Sequence, residues 1–142
     1  MQLTSLSITL KPSRSLAALL IIAHSVAGTV LLFLPVAIWP LLAMILLLAV
    51  SAWYVVQRHA LLRLPSSVIG LKLMDEGKLD MLTASGNWHE AQLGTEQFVN
   101  PRLTIVSYRC EGTRWTRHVV IVADMLDAEA FRELRVRLKW RR

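Results

Sequence analysis

Between Arg14 and Arg58 the chain carries no Asp, Glu, Lys or Arg, and this uncharged block constrains the fold more than any other feature. A helix rises about 1.5 Å per residue, so about 20 apolar residues cross a hydrocarbon core of about 30 Å. Residues 15–34 and 36–56 each reach that length. Pro35 and the pair Trp39-Pro40 interrupt the block near its middle, where a hairpin must reverse and an indole can rest at the lipid boundary. Trp53 and Tyr54 mark the other end of the second segment. A cleaved signal peptide would have a shorter apolar core with no second apolar run behind it. A buried soluble hairpin would show a polar face on its helices, and neither segment has one. The reading is a transmembrane helical hairpin over residues 15–57.

Orientation follows from the flanks. Lys11 and Arg14 precede the first span, Arg58 and Arg63 follow the second, and the connecting turn has no basic residue. The positive-inside rule then places both termini in the cytoplasm, with 1–14 as an N-terminal segment and 58–65 as a juxtamembrane linker. His24 is the one ionisable side chain within the spans. An intramembrane ionisable group is a functional candidate by default. The favoured reading is nevertheless packing: an imidazole bonded to the partner helix, with Ala23, Ala27 and Gly28 allowing close approach.

From residue 66 the period changes. All ten acidic residues lie between Asp75 and Glu133, so residues 66–142 read as a water-facing domain. Residues 68–73 alternate, Asp75-Glu76-Gly77-Lys78 supplies a turn, and residues 79–82 complete a hairpin. Ser85-Gly86-Asn87 turns into a short strand at 88–93. Residues 103–108 and 117–122 are the strongest strand signals, joined through Glu111-Gly112-Thr113, with Pro101 suited to a strand start. Five to seven antiparallel strands are expected between 66 and 122. Trp88 and Trp115 are expected in the core, because so small a domain needs large apolar side chains.

The chain then turns helical. Asp124 is the expected N-cap, with Asp127 in a capping-box position, and Phe131, Leu134 and Leu138 make an apolar stripe for the sheet. Strands closed by one C-terminal helix is the element order of a PH-like barrel. Arg132, Arg135, Arg137, Lys139, Arg141 and Arg142 stand against Glu133 alone in this last segment. Such a run is commonly a solvated face that complements the helix dipole. Attraction to anionic membrane lipid and docking of an acidic protein are the functional readings, with Arg132, Arg135, Arg137, Lys139 and Arg142 as the binding residues. The formal charge of +6 sits beside the apolar block and at the C-terminus, so nucleic acid is not the expected partner.

No catalytic constellation appears. His59, His89 and His118 are isolated, and there is no metal-ligand spacing, phosphate loop or nucleophile elbow. Asp75, Glu76 and Asp80 fall on a turn and an adjacent strand. Cys110, the single cysteine, precedes a turn and reads as a structural or incidental thiol. The expectation is a non-enzymatic protein with no cofactor and no metal. An accessory or assembly factor, recognised through the hairpin within a membrane complex, is the alternative to an interaction protein.

Lys11-Pro12-Ser13-Arg14 at the entry, His24 in the first span, the Leu34-Pro35 break and the closing run from Asp124 through Phe131-Arg132-Glu133-Leu134-Arg135 to Leu138 resemble the YgfX family of bacterial inner-membrane proteins, the CptA-type toxins. That resemblance implies the toxin of a toxin–antitoxin pair with the small protein SdhE, acting on FtsZ and MreB, and it carries over no residue-level partner site.

Overall fold

A computed structural model describes residues 5–74 and 77–140. A short strand, β1 (Leu6–Thr9), comes first. The apolar block then forms α1 (Arg14–Leu32) and α2 (Ile38–Val55), and α2 runs on into a π-helical turn, Val56–Ala60. Five strands follow, β2 (Val68–Leu73), β3 (Lys78–Thr83), β4 (Trp88–Val99), β5 (Leu103–Cys110) and β6 (Arg117–Val122). A 3-10 turn, Ala123–Met125, leads into α3 (Ala128–Trp140).

Both helices of the hairpin are long and apolar enough to cross a bilayer. Pro40 lies in the first turn of α2, where its missing N–H breaks no helical bond. The helices meet along a seam. His24 and Gly28 from α1 face Leu48 and Ser51 from α2, and a Cβ on Gly28 would sit 3.5 Å from Leu48. Of the three small residues expected in this seam, only Gly28 is there; Ala23 and Ala27 are exposed on an outer flank of α1. At 100° per residue they fall beside the stripe that carries His24 and Gly28.

The six strands form one antiparallel sheet in chain order, curled into a half-barrel. The N-terminal segment, expected to precede the domain, supplies its first strand: Leu6 lies opposite Leu73 and Thr9 opposite Gly70. The hairpin is therefore an insertion between two neighbouring strands. Leu6, Ile8 and Leu10 are buried, each contributing about 2 kcal/mol of apolar burial. Leu71, Leu79, Met81, Val106 and Ile121 continue the same core, which α3 closes with Phe131, Leu134 and Leu138. Leu16 of α1 and Ala60 of the π-helical turn also belong to it, so the base of the hairpin is part of the domain.

Strand β4 is longer than its sequence signal because a bulge between Leu93 and Gln97 lets it resume pairing with β5. The Gln97 amide fills the broken ladder. Its Nε2 donates to the carbonyls of Gly94 and Ser107 at 2.9 and 3.1 Å, and its Oε1 accepts the Ser107 N–H at 3.1 Å. Gly94 has no room for a side chain, since a Cβ would lie 2.6 Å from Ser107 Oγ. Trp88 and Trp115, expected in the core, are 55% and 79% exposed. Trp88 opens β4 on the outer side of the curl, Trp115 lies in the β5–β6 loop, and leucines and methionines fill the core instead.

Candidate interaction surface and the hairpin junction

The base of the hairpin is built from both ends of the chain. Ser13 caps α1, its Oγ accepting the Leu16 N–H at 2.9 Å, while the same hydroxyl donates to Asp124 Oδ1 at 2.6 Å. The second carboxylate oxygen of Asp124 accepts the Ser15 N–H at 3.2 Å. The first turn of α1 has no acidic residue, so Asp124 supplies from elsewhere the negative charge that a helix N-terminus favours. Asp124 thus caps the first span and not α3, as the sequence suggested. The start of α3 falls to Asp127, whose carbonyl accepts the Phe131 N–H at 2.9 Å.

Around this point the backbone closes further. Ser13 N–H donates to Ala60 O at 2.8 Å, joining the start of the first span to the end of the second. Lys11 N–H donates to Met125 O at 2.9 Å, and Lys11 Nζ pairs with Asp127 at 2.9 Å. Burial works against the charge of Asp124, but the hydrogen bonds from Ser13, Ser15 and its own backbone outweigh it and hold the carboxyl below the ordinary carboxylate range. Leu62, just past the π-helical turn, has φ 54°, a left-handed conformation that is strained for a branched side chain. Its partly buried side chain packs on the core and compensates.

Helix α3 divides into two faces. Phe131, Leu134 and Leu138 point into the half-barrel, and Arg132, Val136, Lys139 and Trp140 face outward. Arg135 is half-buried, with its guanidinium 5.8 Å from the centre of the Phe131 ring and its Nε buried without a hydrogen-bond partner. Arg137 is engaged with Glu133 at 2.9 Å. The expected set is therefore divided: Arg132, Arg135 and Lys139 form a basic face, Arg137 belongs to an ion pair, and Arg142 lies outside the described residues. Val136 and Trp140, 48% and 83% exposed, stand among them and were missed. Val136 follows Arg132 by four residues and Trp140 follows Val136 by four, the spacing that places all three on one face.

The basic end of α3 is remote from the hairpin. Asp127 is tied to Lys11 at the hairpin base, and Lys139 follows it by about 18 Å of helix at 1.5 Å per residue. Leu138 and Lys139 line a groove with Gly77 and Leu93, at the end of β2 away from the spans. A Debye length of about 8 Å at physiological salt leaves little attraction between that end and lipid at the hairpin base.

Within the hairpin, His24 Nδ1 bonds the Leu20 carbonyl at 2.8 Å, which requires that this nitrogen carry the proton. Its Nε2 then faces the Ser51 hydroxyl of α2 at 3.5 Å. Among the described residues no group of three His, Cys, Asp or Glu side chains is placed to hold a metal ion. Cys110 is half-buried at the end of β5.

An apolar hairpin whose two ends are locked to a small β domain defines a membrane-bound protein with one outward-facing basic helix. Residues 4–142 match the CptA toxin family, described as the membrane-bound toxin component of a toxin–antitoxin system, and the chain belongs to that family. No curated protein and no solved structure matches the chain. The Lys11–Arg14 and Asp124–Leu138 segments that carried the resemblance meet at the hairpin junction.

Proposed function

We propose that the hairpin spans the bacterial inner membrane twice with both termini in the cytoplasm, and that the outward face of α3 binds an acidic protein partner without catalysis. The single observation that supports this best is the composition of that face: Arg132 and Lys139 stand beside the exposed pair Val136 and Trp140, with half-buried Arg135 flanking them. Trp and Arg are the residues most enriched at binding hot spots, and basic side chains beside an apolar centre favour a carboxylate-rich partner. The distance of the Lys139–Trp140 end of this face from the hairpin base argues for a soluble partner over lipid. By the family resemblance, SdhE is the antitoxin partner, and FtsZ and MreB are the targets.

The experiment is affinity capture of the full chain in mild detergent, comparing the native protein with Arg132→Glu, Arg135→Glu and Lys139→Glu combined. Loss of the captured partner with membrane insertion intact supports the proposal. Unchanged capture by the triple variant removes it and favours an assembly factor recognised through the spans.

A further inference from the structure

Where α2 ends, the π-helical turn brings Arg58 and His59 over the open seam of the half-barrel, between Leu10 and β6. A cavity of about 30 Å³ lies there, lined by Arg58, His59, Ser67, Tyr108 and His118 among apolar neighbours. The side chains of Arg58, His59, Ser67 and Tyr108 can each donate a hydrogen bond, whereas His118 stands beside Ser107 on the opposite face of the sheet; no carboxylate lines the cavity. Ser67 is 1% exposed, yet its Oγ has no hydrogen-bond partner. A buried hydroxyl left unpaired is costly, so the site calls for an acceptor.

Arg58 brings the charge. Its guanidinium donates to the Tyr54 hydroxyl at 2.9 Å and lies 5.8 Å from that ring centre, which holds it at the end of the second span. Lipid headgroups occupy that level. Tyr108, 4% exposed, keeps its phenolic proton: burial pushes its pKa up, Cys110 adds to this, and Arg117 and Arg58 only partly oppose it.

We propose that this cavity binds a phosphate group, with Ser67 and Tyr108 donating to its non-bridging oxygens and Arg58 neutralising its charge. A cavity this small takes the two non-bridging oxygens of a phosphate group, with the rest of the group outside it, and leaves no room for an acyl chain or a nucleotide. A phosphodiester of an anionic lipid headgroup and free inorganic phosphate present the same chemistry. The site is separate from the α3 face and stands whether or not that face binds a protein.

The test uses the full chain in dodecyl maltoside, titrated with dioctanoyl-phosphatidylglycerol, with dioctanoylglycerol lacking the phosphate, or with sodium phosphate, while the thermal midpoint is followed. The phosphate-bearing lipid is expected to raise the midpoint saturably and the phosphate-free one to leave it unchanged. Ser67→Ala should leave the ligand-free midpoint equal or higher, because it removes an unpaired hydroxyl, yet raise the half-saturating concentration about tenfold. Arg58→Gln should weaken saturation in the same way. Saturation by inorganic phosphate alone identifies the free anion as the source. No saturable response in any phosphate arm, an equal response to dioctanoylglycerol, or half-saturation unchanged from the native protein in both Ser67→Ala and Arg58→Gln overturns the proposal.

Discussion

The carboxylate of Asp124 accepts the hydroxyl proton of Ser13 at 2.6 Å across 111 residues of sequence, and through that bond the end of the sheet caps the first membrane span. Removing either partner disturbs both. Asp124→Ala and Ser13→Ala are each expected to destabilise the full chain by about 1–2 kcal/mol, the exposed position of Asp124 keeping its value at the low end. The double variant should cost less than the sum, since both changes break one network. Thermal unfolding in detergent of the four proteins measures this.

Acid should loosen the same junction. A carboxyl whose folded pKa is depressed contributes its full stabilisation above the unfolded value and loses it as pH falls through the folded one. Stability carried by Asp124 is therefore complete at neutral pH and declines below about pH 4. Asp124→Asn, less stable at pH 7, should show a smaller loss between pH 5 and pH 3, followed by the unfolding midpoint.

The hairpin and the later strands were legible in the sequence because each announces its solvent by a strong local pattern: an uncharged block for lipid, alternation for the sheet, a stripe of Phe131, Leu134 and Leu138 for α3. Strand β1 was not, because Leu6–Thr9 is four residues long and its partner Leu73 lies beyond the whole hairpin. The role of Asp124 was misplaced for a related reason. It stands where a cap for the next helix belongs, and only the return of the chain to Ser13 gives it a different helix to cap. Val136 and Trp140 were hidden by the charges around them.

Since β1 completes the sheet, a fragment of residues 66–142 is an incomplete domain. It lacks Leu6, Ile8 and Leu10, whose burial at about 2 kcal/mol each is a large part of a small domain's net stability of about 5–15 kcal/mol. The fragment is expected to aggregate through the uncovered edge of β2, and fusing residues 5–13 ahead of it by a short linker should restore a monodisperse species. Size-exclusion chromatography of the two proteins distinguishes them.

The bulge in β4 depends on one amide. Gln97→Leu would leave the Gly94 and Ser107 carbonyls and the Ser107 N–H without the partner they have now, at an expected cost of about 2–3 kcal/mol. Gly94→Ala should cost about 1–3 kcal/mol, because its Cβ must displace Ser107. Chemical denaturation in detergent reads both.

The most direct measurement is site-specific photocrosslinking in living cells, with the probe replacing Val136 on the outward face of α3 or Ala27 on the outer flank of α1. A basic helix that docks an acidic cytoplasmic protein predicts crosslinks to such a protein from position 136, abolished by Arg132→Glu with Lys139→Glu, and none to it from position 27. Crosslinks to a membrane subunit from position 27, with position 136 silent, would contradict it.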